Sequence, residues 1–302
     1  MEFCKNRLGL TMKKILVTLI FLTLLLSGCV HTKNAEIAAT TLPVYEFTNY
    51  LCEGTGISIT RLITENVSCL HDYTLKVSQM QAIASAEIIV MSGGGLEDFL
   101  ADTIPEGKYI IDASSQLSLA PLHDPAHEHE HGNKHHHEQD PHFWLSPNHA
   151  KQMCKTIYQE LSGRYPEHRE TFEKNLSRLL SELDALQTYG EDTLQNLTCR
   201  NLITFHDGFS YLADSFQLHI LKAVEEESGS EASAKDLIAL IQLVETNSLP
   251  AIFTETNGST SAAEIIASET GISIYTLDMA MAGNSYFESM YRNIDTIKEA
   301  FG

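Results

Sequence analysis

The stretch YPEHRETFEKNLSRLLSELDALQTYGEDTL, residues 165–194, decides the architecture. Phe172, Leu176, Leu179, Leu183 and Leu186 recur at alternating intervals of four and three with charged residues between them, which lays one apolar stripe along a helix. Tyr165-Pro166 supplies a start, because Pro suits a first helical turn where its missing N–H goes unused. No strand pattern interrupts before Asn201. An unbroken helix of about 30 residues is about 45 Å long, more than one small domain is wide. Such a rod is expected to bridge two domains, so the chain divides into 35–165, a linker helix 166–197, and 198–302.

Both flanks alternate short apolar runs with amphipathic segments, the pattern of βα repeats. Before the rod, strands are expected at Glu36–Thr40, Ile57–Ile63, Ile88–Met91 and Tyr109–Ile111. Helices are expected from Pro43 to before Gly54, over Val77–Ala84, and after the cap Ser146-Pro147, where Ala150, Met153, Cys154, Ile157, Tyr158 and Leu161 keep helical spacing. After it, strands are expected at Leu202–Phe205, His219–Ala223, Ala251–Thr254 and Ile272–Leu277. One helix begins near Gly208, and others begin at the caps Ser233-x-x-Asp236, Ser261-x-x-Glu264 and Ser285-x-x-Glu288. The expected fold is α/β, with two lobes, each a mainly parallel sheet flanked by helices, joined by one long helix. Ser92-Gly93-Gly94-Gly95-Leu96-Glu97 follows a strand without the Lys of a phosphate loop, so it reads as a tight turn that brings backbone close.

Metal chemistry is written between residues 123 and 147, where HDPAHEHEHGNKHHHEQDPHFWLSP holds eight of the fourteen histidines. Neutral imidazole suits borderline cations such as zinc, whereas calcium and magnesium want oxygen. His123, His127, His129, His131, His135, His136 and His137 lie on a polar segment, 123–137, that cannot bury a core and reads as a mobile, metal-collecting loop. His142 differs, because it sits between Asp140-Pro141 and Phe143-Trp144-Leu145, where Pro and bulky apolar neighbours would hold one imidazole in place. His71, His142, His206 and Asp278 all stand at loop entries or just beyond expected strands, where ligands of α/β sheets gather.

The formal charge is −20, and removal of residues 1–28 takes away four basic residues and one acidic one, which deepens the imbalance. So negative a surface repels nucleic acid and attracts cations. Lys13-Lys14 precede an apolar run, Ile15–Leu26, sized for a signal-peptide core and short for a membrane span. The run ends in Leu26-Ser27-Gly28-Cys29, which resembles a bacterial lipobox. That resemblance implies a signal peptide over 1–28, a lipid on Cys29 anchoring the chain to the cell membrane, and a tether over 29–34. Cys52, Cys69, Cys154 and Cys199 remain, with Cys52 and Cys69 the closer pair for a disulfide and Cys154 expected as a small buried hydrophobe.

Thr41-Leu42-Pro43-Val44-Tyr45, His71-Asp72-Tyr73, Gly94-Gly95-Leu96-Glu97, Asp140-Pro141-His142-Phe143-Trp144-Leu145, Thr204-Phe205-His206-Asp207, Phe253-Thr254-Glu255 and Leu277-Asp278 follow one another in an order that resembles the metal-specific solute-binding lipoproteins of bacterial ABC importers. The resemblance covers about residues 35–301. It implies two α/β lobes joined by a rigid helix, one transition-metal ion between them, and an ABC permease as partner. It also implies that His71, His142 and His206 are ligands, with Asp278 or water as the fourth. His206 and the His-rich loop are similar to the zinc branch, because manganese-type members place Glu at that position. Two positions depart from the pattern: Leu70 stands where some zinc members have Glu, and Met279 where Pro is usual. Glu255 matches a position near the site without being a ligand.

The expected function is extracytoplasmic Zn2+ capture by a monomer, for import. The alternatives are a manganese- or iron-type binding protein, a zinc hydrolase, and an adhesin. A hydrolase lacks support, since H-E-x-x-H is absent and no Ser, Cys or Glu is paired to a His as a nucleophile.

Overall fold

Ile37–Ala39 (β1) is entirely buried and lies between two parallel neighbours, Ile59–Arg61 (β2) and Ile88–Met91 (β3), with Tyr109–Asp112 (β4) beyond β3. The computed structural model describes residues 35–65, 67, 70, 73–119, 139–224 and 233–302. The first sheet has the order β2-β1-β3-β4. In the second sheet, His219–Ala223 (β6), Asn201–Thr204 (β5), Ala251–Glu255 (β7) and Ser273–Leu277 (β8) stand in that order, again parallel. Both sheets thus follow one winding, in which the chain crosses from one side of its first strand to the other. Each has a switch point, at β1/β3 and at β5/β7, and loops at the carboxyl ends of those strands face a common crevice. The central strands of the first sheet, β1 and β3, are apolar throughout because helices cover both faces.

Leu42–Leu51 (α1) carries Pro43 in its first turn, and Val77–Ser85 (α2) follows β2. Pro147–Arg164 (α3) is capped by Ser146, whose Oγ accepts from His149 N. Arg169–Leu194 (α4) is the rod, 26 residues long, or about 39 Å. It starts later than the sequence suggests: Pro166–His168 forms a separate 3-10 turn, because Pro pushes Tyr165 out of the helical region. Phe172, Leu179, Leu183 and Leu186 are buried and Leu176 is partly buried, so the stripe is the packed face. Asn175 donates to the carbonyls of Leu51 and Glu53, 2.9 Å each, which ties the rod to the end of α1. Gly190 lets the Phe216 ring approach, since a Cβ there would lie 2.2 Å from the ring.

The second half continues with Ser210–Ser215 (α5), Ala234–Asn247 (α6), Ser261–Thr270 (α7) and Tyr286–Phe301 (α8). The Ser233 capping box and the Ser285 cap form as the sequence indicates. At α7 the cap is one residue earlier, at Thr260, whose hydroxyl donates to Glu264 Oε1 at 2.7 Å. The rod packs on α1 and α3 of the first lobe and α8 of the second. One apolar core runs from β1 through α3 and α4 into α8, while a smaller one lies under β5 and β7. Among the described residues no helix is long and apolar enough to cross a membrane.

Candidate metal centre

His206 stands two residues beyond β5, in a turn where Thr204 Oγ1 donates to the His206 carbonyl at 3.1 Å. Phe205 N bonds Phe253 O at 3.0 Å and keeps that turn beside β7, which ends in Glu255. His142 comes from the first lobe. The Asp140 carboxylate accepts the His142 backbone N–H at 2.9 Å and the ring Nδ1 at 2.8 Å. This is the Asx-Pro turn that an Asp two residues ahead of the His supports. A ring that donates Nδ1–H to a carboxylate presents Nε2 as a lone pair. The 3-10 turn Phe143–Leu145 and the cap of α3 then lock the segment.

The two rings meet across the lobes. His142 Nε2 lies 3.4 Å from His206 Nε2, the ring planes cross at 85°, and both residues are buried. Behind His206, Glu255 Oε2 stands 3.7 Å from Nδ1 and is buried too. Each imidazole therefore has a carboxylate at its Nδ1 side and its Nε2 turned to the other ring. Two nitrogens about 2.0–2.1 Å from a tetrahedral zinc are about 3.3–3.4 Å apart, the spacing of this pair. Sequence reasoning placed Glu255 near the site but did not see Asp140 as the group that orients His142.

Trp144 pins this geometry between lobes. Its indole N–H donates to the Met279 carbonyl at 2.7 Å, and its own carbonyl accepts from Tyr286 Oη at 2.8 Å. Its ring stands edge-on to His142 at 5.5 Å. Tyr211 Oη donates to the Asp140 carbonyl at 3.3 Å. Leu42 N bonds Met281 O at 3.1 Å, Arg61 reaches Gly283 O at 2.8 Å, and Glu46 accepts from Tyr286 N at 2.6 Å. Burial pushes the Glu46 carboxyl above its ordinary range, opposed by the hydrogen bonds it accepts from Tyr286 N and Ser285 Oγ.

Asp278 follows β8 as expected, yet its carboxylate is engaged elsewhere. Oδ1 accepts from Ala280 N at 2.8 Å, Oδ2 accepts from Ser289 Oγ at 3.1 Å, and Arg292 lies 3.6 Å away. It lines a crevice of about 220 Å³ with Met279, Ser289 and Arg292. Among the described residues no three His, Cys, Asp or Glu side chains gather as a metal-binding group. His71 lies outside the described residues, as do Cys29, Cys69 and the loop with His123, His127, His129, His131, His135, His136 and His137.

A family model described as the periplasmic zinc-uptake complex component A, ZnuA, matches residues 37–300. The chain belongs to the ZnuA family. It is 31% identical over 307 residues to the zinc-binding lipoprotein AdcA of Streptococcus pneumoniae, an alignment that takes in 95% of this chain and 61% of AdcA. The chain thus spans about three fifths of that relative's length. A crystal structure of ZnuA matches with a TM-score of 0.75 at 28% identity, covering 88% of this chain and 99% of that one. The Zn(II)-bound ZnuA-like domain of Streptococcus pneumoniae AdcA matches with a TM-score of 0.72 at 28% identity, covering 88% and 98%.

Within this ZnuA-family chain the glycine turn does structural work beside the site. Glu97 is buried and accepts from Ser92 N at 2.7 Å, Gly93 N at 2.9 Å and Thr40 Oγ1 at 2.6 Å. Gly94 backs onto Pro141 and Phe143, so the turn supports the segment that carries His142. Cys52, Cys154 and Cys199 are free thiols, and Cys154 is fully buried, as a small hydrophobe would be.

Proposed function

We propose that this chain captures one zinc ion outside the cytoplasm and delivers it to the membrane permease of an ABC importer. The observation that carries this reading is the pair of buried imidazoles, His142 and His206, with Nε2 atoms 3.4 Å apart and carboxylates at their far sides. The family description and the zinc named for AdcA and its ZnuA-like domain support the same cargo. The site consists of His71, His142 and His206, with Asp278 or water as the fourth ligand. In this structure the Asp278 carboxylate accepts from Ala280 N and Ser289 Oγ, bonds that leave it lone pairs for a metal. The His-rich loop 123–137 holds further, weaker metal, because each ion bound there must order free chain.

The same reading places a lipid on Cys29, a tether over 29–34, lobes over 35–165 and 198–302 about the linker 166–197, and a monomer as the working unit. Capture needs a closed shell and no reacting group, so no catalysis is assigned. Zinc analysis of protein purified without a His-affinity step, followed by equilibrium dialysis of a variant lacking residues 123–137, tests it. One tightly held zinc in the deletion variant is the expected result. A deletion variant with no tight zinc contradicts it.

A further inference from the structure

The loop that joins β8 to α8, residues 279–285, belongs to the second lobe but is bonded along its length to the first. Trp144 donates to the Met279 carbonyl at 2.7 Å, Leu42 N to the Met281 carbonyl at 3.1 Å, and Arg61 Nη1 to the Gly283 carbonyl at 2.8 Å. At the end of this strap stands Glu46, on α1. Its Oε2 accepts the Tyr286 N–H at 2.6 Å and its Oε1 accepts from Ser285 Oγ at 3.1 Å. Ser285 is the cap of α8, and its Oγ also accepts from Glu288 N. A helix of one lobe is thus capped by a carboxylate of the other, at the end where the helix dipole favours negative charge. The Tyr286 side chain is fully buried, with its ring edge-on to Phe47 of α1 at 5.0 Å and its hydroxyl on the Trp144 carbonyl at 2.8 Å.

We propose that Glu46 is a positioning residue for zinc retention: with Arg61 it latches this strap to the first lobe, and so sets how fast an ion held between His142 and His206 is released. The inference rests on the zinc reading for its cargo. His142 comes from one lobe and His206 from the other, and both are buried, so an ion between them leaves when the lobes part. The latch is also breakable, as delivery requires. Burial and the charges of Glu288 and Glu182 oppose an ionised Glu46, while the bonds from Tyr286 and Ser285 favour it. Opposing effects of this kind leave a modest net hold.

The test compares the full chain with Glu46→Gln and Arg61→Gln. An amide in place of the carboxylate keeps one acceptor and turns an N–H toward the other donor, so one of the two bonds is lost. Zinc-loaded protein is mixed with excess chelator and release is timed. Release is expected to quicken about tenfold in Glu46→Gln and about threefold in Arg61→Gln, with the nitrogen neighbours of zinc unchanged by X-ray absorption. Metal-free protein is read by NMR through the indole N–H of Trp144, the chain's single tryptophan, whose acceptor is Met279 O rather than Glu46. Its hydrogen exchange is expected to quicken in both variants, because that acceptor leaves with the strap. Glu53→Gln, the same change of charge at an exposed ion pair with Arg178, is expected to match the wild type in both measurements. Arg61→Gln carries the test if Glu46→Gln fails to fold. Wild-type release from either folded variant, unaltered indole exchange, a changed nitrogen shell, or equal acceleration in Glu53→Gln overturns the proposal. A wild type that binds no zinc overturns the zinc reading instead, and the indole exchange still decides whether Glu46 holds the lobes.

Discussion

The indole N–H of Trp144, in the first lobe, donates to the backbone carbonyl of Met279, in the second, at 2.7 Å, and both residues are buried. Because Trp144 also stands edge-on to His142, the bond that joins the lobes is one contact away from the candidate ligand. Trp144→Phe keeps most of the ring and removes the donor, leaving a buried carbonyl without it. The expected cost is about 1–3 kcal/mol of folding stability. Denaturant unfolding measures it, and a variant as stable as the wild type would show that this bond does not hold the lobes.

Asp140 orients His142 through Nδ1 at 2.8 Å and through the backbone N–H at 2.9 Å. Asp140→Asn keeps the shape of the side chain and takes away its charge. Metal affinity should fall about 10–100-fold, the usual effect of losing a carboxylate behind a ligating histidine. Competition against a zinc chelator reads the change, and unchanged affinity would mean the carboxylate does not set the ring's tautomer.

Burial raises the Glu97 carboxyl to about 7, against the lowering effect of its three donors. The folded value lies above the ordinary 4.5, so between these limits the folded protein keeps a proton that the unfolded chain has lost. Stability contributed by Glu97 is therefore full below about pH 4.5 and fades as pH rises through about 7. The stability of wild type minus Glu97→Gln should fall between pH 5 and pH 8 by an amount of order 3 kcal/mol. A difference that is flat with pH counts against this account.

Gly93 adopts φ +88°, and a Cβ there would lie 1.8 Å from Asp112 Oδ1 and 2.4 Å from Ser114 Oγ. Gly93→Ala meets both a left-handed backbone and a collision. A loss of roughly 2 kcal/mol or more is expected, visible as a lower Tm. An Ala variant with an unchanged Tm would mean the turn can rearrange freely.

Much of this was legible in the sequence, and the residues show why. The stripe Phe172, Leu176, Leu179, Leu183, Leu186 found the rod because one face had to be packed. Ser285 and Glu288 found the start of α8 because a cap is a local hydrogen bond, independent of the rest of the fold. Boundaries were less legible where several local signals compete: Pro166 opens a 3-10 turn instead of the rod, and Thr260 takes the capping place next to Ser261. At the site, position beyond a strand predicted proximity but not direction. His142 and His206 come together, whereas Asp278 is turned onto Ala280 and Ser289 by a left-handed residue that no pattern announces.

The central claim is that His142 and His206 hold one zinc ion jointly. Zinc affinity and stoichiometry of His142→Ala and His206→Ala, measured by calorimetry with a competing chelator, test it most directly. Each variant is expected to lose the tight site while unfolding at a denaturant midpoint close to the wild type's, because a zinc shell cannot lose an imidazole without collapsing or adding water. Either variant binding one zinc at full wild-type strength would contradict the account.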